Sequence, residues 1–140
     1  MVKIAIEYQG DLHCSATHGP SAARLETDAP VDNQGKGESF SPTDLVATAL
    51  GTCMATIMGI YAQRKGLDLR GMKIEVTKEM TKDAPRRIAR LPSEIWMPAT
   101  VAPDPALEHA ARTCPVALSL HLDIEKPVVF HWARELHAVT

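Results

Sequence analysis

The sequence predicts an α+β protein, in which strands and helices follow one another in separate blocks along a single domain of residues 1–140. Apolar and polar residues alternate over residues 2–8, as they do in a strand that buries one face. Small and apolar residues dominate residues 41–65, a length typical of a long helix. A second alternating stretch follows over residues 72–97. With 140 residues and 45% hydrophobic content, the chain can bury a substantial core without disulfides or metals.

The N-terminal block is predicted to be an antiparallel meander of three short strands, at residues 2–8, 12–18 and 22–28. The turn sequences QGD at residues 9–11 and GPS at residues 19–21 separate them. The alternating apolar residues of the first strand share one face, so we expect that strand to be half buried.

A loop and a long helix follow the meander. Residues 28–40 are rich in turn formers and charge, which is typical of a surface loop. Ser41 offers an N-cap, Pro42 occupies the favoured first position, and Asp44 stands where its carboxylate meets the positive end of a helix. The helix is predicted to run for about 25 residues until Gly66 stops it.

The C-terminal half alternates between strands and short helices. Pro127 interrupts the last strand, which places that strand at the edge of a sheet, because proline cannot donate to a ladder. The predicted elements are a hairpin of residues 72–82 and 86–97, helices at residues 106–113 and 114–120, and a strand at residues 123–132.

Composition excludes several classes of protein. The net charge of −2 is spread along the chain, so neither nucleic acid nor an anionic membrane is an expected partner. The N-terminus lacks the apolar core of a signal peptide. The longest apolar segment, residues 45–62, falls short of the roughly 20 residues that span a bilayer and indicates a buried helix. The chain has three cysteines, an odd and small number that does not fit the disulfide framework of a secreted protein. A location in the reducing cytoplasm is therefore favoured.

Cys53 lies within the long helix and has two interpretations. The apolar stripe that begins at Leu50 continues through either Cys53 or Met54, so Cys53 lies on or beside the core. A free cysteine is often a buried packing residue, and position alone favours that interpretation. However, Gly51 and Gly59 keep the helix thin at a cost of roughly 0.5–1 kcal/mol each, which suggests that something approaches closely.

Cys114 immediately precedes Pro115 and also has two interpretations. If Pro115 begins a helical turn, Cys114 is its N-cap, where free N–H groups favour a thiolate. Alternatively, the Cys-Pro pair only kinks a continuous helix.

Together these motifs resemble the OsmC/Ohr superfamily of cysteine-based hydroperoxide reductases. The resemblance rests on SPTDL at residues 41–45, ALGTC at residues 49–53 and CPV at residues 114–116, and it extends to the order of elements along most of the chain. It implies an OsmC-like fold, with antiparallel sheets around a long central helix that carries a cysteine. It also implies an intertwined homodimer with an active site at each subunit boundary.

The resemblance further implies roles for two cysteines. Cys53 matches the peroxidatic cysteine, whose thiolate attacks the O–O bond of a small hydroperoxide and becomes a sulfenic acid. Cys114 matches the resolving cysteine, which forms a disulfide with it. No bound cofactor is implied, and a dithiol reductant, in the family a lipoyl group on a protein carrier, would restore both thiols.

The sequence departs from the family pattern at the groups that would activate Cys53. The family places a glutamate directly after the proline, whereas Pro42 is followed by Thr43 and then Asp44. Nine residues are about 2.5 helical turns, so Asp44 would face away from Cys53, and a capping role is favoured over a catalytic one. The SPxDL form is similar to a less characterised OsmC-like branch.

A thiol in an apolar groove ionises only if something compensates for lost hydration, and the family uses an arginine. Arg24 is the only arginine before Cys53, and Lys36 is the other candidate cation. A solvated surface charge is an equal interpretation of each.

The remaining candidates are weaker. His13, Cys14 and His18 lack the spacing of a zinc site, because alternation puts only Cys14 and His18 on one face. We interpret the other residues as core or surface side chains, although the tryptophans could line a dimer seam or a groove; they are His121, His131, His137, Trp96 and Trp132.

Two functions follow from the sequence. The first is a thiol-dependent peroxidase that reduces organic hydroperoxides, since a hydrophobic tail gains roughly 25 cal/mol for each Å² that apolar walls bury. The second is a protein of the same fold that binds a small apolar or thiol-reactive molecule without efficient turnover. The cysteine pair favours the first, and the missing glutamate favours the second.

Overall fold

The computed structural model describes residues 1–134 and confirms the α+β class. The chain divides into two compact units, Met1–Val46 and Ala47–Thr140. The single domain expected over residues 1–140 stays a prediction. Its last six residues, including His137, lie outside the described part of the chain.

The first unit contains the predicted meander. Strands β1 (Ile4–Tyr8), β2 (His13–His18) and β3 (Arg24–Asp28) form an antiparallel sheet in the order β1-β2-β3. The prediction that the first strand is half buried was wrong, because every residue of β1 is exposed. The exposed fraction is 54% for Ile4 and 70% for Ile6. As the outer strand of the sheet, β1 pairs only with β2, so within this unit its apolar side chains remain in solvent.

A histidine–aspartate pair ties the loop before the long helix to the sheet. His13 Nδ1 lies 2.6 Å from Asp28 Oδ1, and the second carboxylate oxygen of the buried Asp28 accepts the Glu38 N–H at 3.1 Å. The hydrogen bond with Asp28 raises the pKa of His13. The pKa of Asp28 is lowered chiefly by His13, and also by the Glu38 amide and the charge of Lys36. This pair holds a loop that contains a short 3₁₀ turn at Val31–Asn33.

Helix α1 (Pro42–Lys65) begins with the predicted cap. Asp44 Oδ2 accepts the Ser41 N–H at 2.9 Å, and Ser41 Oγ accepts the Asp44 N–H at 3.1 Å. These reciprocal bonds form a capping box, which satisfies backbone donors that a helix start otherwise leaves unpaired.

Helix α1 ends where the sequence predicts. Gly66 has a φ of 68°, which glycine adopts at no steric cost, and the Leu67 N–H donates to the Ala62 carbonyl at 2.8 Å. This is a Schellman ending. The buried face follows helical spacing, with Met54 rather than Cys53 in the stripe; it comprises Ala47, Leu50, Gly51, Met54, Met58 and Ala62.

The prediction that the apolar segment of α1 is too short to span a membrane was wrong. Among the described residues, α1 is one helix that is long and apolar enough to cross a membrane by length and composition alone. The core helix of a soluble protein passes the same test. In this chain α1 buries Leu50, Met54 and Met58 almost completely, whereas 33% of its most apolar 18-residue window is buried as a whole. The expectation that the protein has no membrane partner stays a prediction.

The second unit contains the predicted hairpin, broken into two pairs of strands. The reason is Pro92, which has no N–H to continue the ladder, although its carbonyl accepts the Thr77 N–H at 2.9 Å. The pairs are β4 (Lys73–Val76) with β7 (Ser93–Met97), and β5 (Glu79–Met80) with β6 (Ile88–Arg90).

The closing strand, β8 (Val128–Trp132), pairs in parallel with β7 and forms an edge of the sheet β4-β7-β8. The predicted edge position is confirmed. The predicted start at residue 123 was wrong, because the strand begins only after Pro127 fixes the backbone and removes a donor.

Helices α2 (Pro105–Arg112) and α3 (Pro115–Ser119) are separate, as one of the two interpretations of the Cys-Pro pair predicted. Asp104 caps α2 by accepting the Ala106 N–H at 2.9 Å, and its other oxygen accepts the Tyr61 hydroxyl at 3.0 Å. Asp104 therefore fastens α1 to the start of α2, and this hydrogen bond raises the pKa of Tyr61.

We expect the pair of His13 and Asp28 to make stability depend on pH. The raised His13 pKa stabilises the fold at low pH, and this contribution is lost as pH rises through the folded value above 6.5. The lowered Asp28 pKa stabilises the fold above its ordinary value of 3.8, and this contribution is lost in acid. The pair therefore contributes most between these limits.

NMR titration of the His13 imidazole tests this expectation. Asp28→Asn should move the titration of His13 down towards 6.5, and Glu26→Gln should move it less, because Asp28 supplies the larger effect. Equal shifts in the two variants would contradict the assignment of Asp28 as the main partner.

Candidate active site

The second unit brings Cys53 and Cys114 together. Cys53 is half buried on α1, beside the core stripe. Its Sγ accepts the N–H of Val116, 63 residues away along the chain, at 3.5 Å. Cys114 is completely buried, and both cysteines are free thiols. The two predicted site cysteines are therefore neighbours.

Cys114 is the N-cap of α3, as one of its two interpretations predicted. Its extended backbone (φ −67°, ψ 153°) precedes Pro115, and its Sγ accepts the Ala117 N–H at 3.4 Å. The alternative interpretation, a continuous helix kinked at Cys114-Pro115, was wrong. Helix α2 ends at Arg112, and the Thr113 N–H caps it by donating to the His109 carbonyl.

Burial raises the pKa of the Cys114 thiol, and a hydrogen bond with Cys53 and its charge raise it further. The N–H groups of Ala117 and Val116 lower this pKa, but burial is the largest influence. Cys114 therefore favours the neutral thiol, which can donate its proton to the sulfur of Cys53.

The start of α3 supplies N–H donors to both sulfurs. Pro115 has no N–H, so the first two donors of the helix belong to Val116 and Ala117. Val116 donates to Cys53 and Ala117 donates to Cys114. Because these N–H groups have no partner within a helix, the two sulfurs satisfy donors that would otherwise need water.

Gly51 lets a strand approach α1 near Cys53. A Cβ at Gly51 would lie 3.1 Å from Val76 Cγ2 and 3.7 Å from Ile74 Cγ2, so a side chain there would crowd β4. The prediction of a close approach is confirmed for Gly51. It was wrong for Gly59, where a Cβ would meet nothing within 4 Å among the described residues.

The predicted activating groups lie in the first unit. Arg24 is exposed at the start of β3, opposite Thr17, and Lys36 is exposed in the loop, where its charge lowers the pKa of Asp28. A catalytic role for Arg24 stays a prediction. Asp44 is a capping residue in the structure, as favoured, and its catalytic role also stays a prediction.

The other candidate residues have structural contacts. His13 pairs with Asp28, and His18 contacts Ser21. Among residues 1–134, no group of three or more histidine, cysteine, aspartate and glutamate residues could hold a metal ion. Trp96 stacks on His131 at a centroid distance of 5.1 Å, and the buried Trp132 stacks on Phe130.

Sequence reasoning missed Val116 and Ala117, which act through their backbones. A signal was present, since a helix that starts at Pro115 must present its first N–H groups at the next two residues. The sequence did not indicate that one of them would meet Cys53, because that contact joins distant segments.

Comparison with known proteins places the chain in a family. A family model described as OsmC-like protein matches residues 35–125, more than half of the chain. The chain belongs to the OsmC-like family. The match includes Cys53, Cys114 and Val116, so the whole cysteine contact of this OsmC-like protein lies inside the family domain.

Solved structures share the fold of this OsmC-like protein. A Psychrobacter arcticus 273-4 protein, named for osmotic stress induction and a detoxification response, is 47% identical with a TM-score of 0.86, and the match covers 94% of this chain and 96% of that chain. The organic hydroperoxide resistance protein OsmC of Legionella pneumophila is 13% identical with a TM-score of 0.69, covering 93% and 96%. OhrB of Bacillus subtilis, also an organic hydroperoxide resistance protein, is 15% identical with a TM-score of 0.65, covering 94% and 98%. No curated protein matches the chain.

The geometry predicts different reactivities for the two cysteines. When the folded protein is treated with iodoacetamide at pH 7, Cys53 should be alkylated at least about tenfold faster than Cys114, because only a thiolate reacts and Cys114 is buried with a raised pKa. Peptide mass mapping measures each site separately. In urea the rates should become similar. Equal labelling of Cys53 and Cys114 in the folded protein would contradict this assignment.

Proposed function

We propose that this OsmC-like protein is a thiol-dependent peroxidase that reduces organic hydroperoxides. The observation that carries the proposal is the contact of Cys53 with the residues around Cys114, which joins a half-exposed sulfur to a buried one. A two-cysteine peroxidase needs this pair, because one thiol must meet the substrate and the other must resolve the product.

Cys53 is the nucleophile. Its thiolate attacks the distal oxygen of ROOH, the O–O bond breaks, and Cys53 becomes a sulfenic acid while RO⁻ takes a proton from water to leave as ROH. The sulfur loses two electrons and the peroxide gains them. The exposure of Cys53 supports this role, since the substrate can reach it, whereas Cys114 is closed to solvent.

Cys114 is the resolving cysteine. Its sulfur attacks the Cys53 sulfenic acid, a Cys53–Cys114 disulfide forms, and the hydroxyl leaves as water with the proton of Cys114. The raised pKa of Cys114 supports this order of events, because a neutral thiol does not compete for the peroxide and still carries the proton that the leaving water needs.

An external dithiol completes the cycle. One thiolate of the reductant attacks the Cys53–Cys114 disulfide, a mixed disulfide forms, and the second thiol displaces it to release both cysteines and an oxidised reductant. A lipoyl group on a carrier protein is the proposed reductant, and no bound cofactor is required.

The surroundings of Cys53 on α1 support an organic substrate. The residues one turn before and after it are Ala49 and Ile57, and both are apolar and partly exposed. An alkyl or aryl tail bound against them would bury apolar surface and gain binding free energy. Hydrogen peroxide has no apolar tail and gains nothing from this contact. The names of the Legionella pneumophila and Bacillus subtilis relatives point to the same class of compound.

A homodimer in a reducing cytoplasm is part of the proposal. Ile4, Ile6 and Tyr8 of β1 are each more than half exposed, which is unusual for a strand with one apolar face. The Thr52 and Thr56 hydroxyls of α1 donate to the carbonyls one turn earlier. These threonine hydroxyls therefore have hydrogen-bond partners within α1 and need no water. We propose that a second copy of the chain covers both the apolar face of β1 and this exposed face of α1.

A second candidate is ligand binding without efficient turnover. It is favoured by the capping box, in which the Asp44 carboxylate serves the backbone of Ser41, and by Thr43 at the position where the family has a glutamate. In this case Cys53 would bind a small apolar or thiol-reactive molecule. The SPxDL form of the motif at residues 41–45, which resembles a less characterised OsmC-like branch, also favours this second candidate.

Oxidation with cumene hydroperoxide tests the catalytic proposal. One equivalent should yield the Cys53–Cys114 disulfide by mass mapping. Steady consumption with a dithiol should continue in Cys14→Ser, the matched control, and stop in Cys53→Ser. Cys114→Ser should accumulate a sulfenic acid that dimedone traps. The rate with hydrogen peroxide should be at least about tenfold lower. A Cys53 that stays a thiol in excess hydroperoxide rejects the peroxidase and supports the second candidate.

The dimer is tested through β1. Sedimentation should give twice the chain mass of 15.2 kDa for the wild-type protein. Ile6→Lys should shift the mass towards that of one chain, because it would bury a charge in the apolar contact. Ala5→Lys, on the other face of the same strand, adds the same charge and should leave the dimer intact. A single-chain mass for the wild-type protein would refute the dimer.

A further inference from the structure

We infer that the backbone N–H of Val116 is a catalytic group that stabilises the Cys53 thiolate, an inference that rests on the proposed role of Cys53 as nucleophile. The N–H contacts the reacting sulfur directly, at 3.5 Å between nitrogen and Sγ. A hydrogen bond to a charged acceptor is stronger than one to a neutral acceptor, so this bond favours the thiolate over the thiol.

Helix α3 does not use the Val116 N–H for its own backbone hydrogen bonds. Within α3, the Leu118 N–H is the first to bond to a carbonyl of its own turn, that of Cys114, at 3.0 Å. The Ala117 N–H is taken by the Cys114 sulfur, and Pro115 has none. The Val116 N–H is the remaining donor, and it points to a sulfur on another helix.

The local chemistry supports stabilisation by an amide. The groups that favour ionisation of the adjacent Cys114 are likewise backbone amides, those of Ala117 and Val116. The Cys114 thiol forms a hydrogen bond with Cys53 and can donate to its sulfur, but it carries no positive charge. Val116 thus supplies part of what the family obtains from an arginine.

The role also suits the reaction. A backbone N–H cannot lose its proton to the thiolate, and it is held by α3 before the substrate arrives, so no reorganisation is needed during attack. When the sulfur becomes a sulfenic acid, its negative charge has left with the alkoxide, and the hydrogen bond weakens. The bond therefore favours the reduced, ionised state, which is the state that reacts.

Replacement of one backbone atom tests this inference. An ester in place of the Pro115–Val116 amide, made by incorporating the α-hydroxy analogue of valine at residue 116, removes the N–H and keeps the side chain. The rate of Cys53 alkylation by iodoacetamide is measured from pH 5 to 10 with peptide mapping. We expect the pH midpoint of this rate to rise by about one unit.

The expected rate follows from that shift. Below both midpoints, the ester variant should be alkylated about three- to fourfold more slowly, because the higher nucleophilicity of a more basic thiolate offsets nearly half of the tenfold loss of thiolate. An unchanged midpoint with intact circular dichroism would overturn the inference.

Two controls separate the N–H from structural effects. Val116→Ala keeps the N–H and should retain the wild-type midpoint. An ester at Ala117 removes the N–H that serves Cys114 and should leave the Cys53 midpoint within about 0.3 units of wild type. If the ester at residue 116 does not fold, Val116→Pro, which also lacks the N–H and is tolerated in a first helical turn, takes its place with Val116→Ala as its control.

The readout is independent of peroxide turnover. If Cys53 fails to react with hydroperoxides but the midpoint shifts as expected, the proposed function fails and Val116 still stabilises the Cys53 thiolate. If turnover is observed and the midpoint does not move, the proposed function stands and the role of Val116 is rejected.

Discussion

The arrangement of the candidate site depends on one hydrogen bond, from the N–H of Val116 to the sulfur of Cys53. It joins segments 63 residues apart and sets a half-exposed sulfur beside a buried one. Its donor is available because Pro115 begins α3 and Cys114 caps it. The Cys-Pro-Val sequence is thus a structural unit, in which the first residue caps a helix, the second starts it, and the third donates to the sulfur of Cys53.

The helix boundaries could be predicted from the sequence because they are encoded locally. Ser41 and Asp44 cap α1, Gly66 ends it, and Cys114 caps α3, and in each case the residue type and its near neighbours contain the physical reason. The pairing of Cys53 with Cys114 was implied by family resemblance. It could not have come from spacing alone, since many folds bring distant residues together.

The misjudged features are those that depend on neighbours in space. Alternation in β1 indicated an apolar face, but whether that face is buried depends on what packs against it. Gly51 and Gly59 look alike in sequence, and only the position of β4 distinguishes them. Pro92 broke a long hairpin into two, because a missing donor matters only where a partner strand requires one.

Helix α1 is held to the segment that carries Cys114 at two places. Besides the contact at Cys53, the Tyr61 hydroxyl donates to Asp104 at 3.0 Å, about 12 Å further along the helix at 1.5 Å per residue. A helix held at one contact can still rotate about that contact, whereas two contacts about 12 Å apart also fix its direction. Tyr61 thus gives the helix that carries Cys53 a second fixed point, and the alignment of the two sulfurs depends on a residue about 12 Å away along the helix.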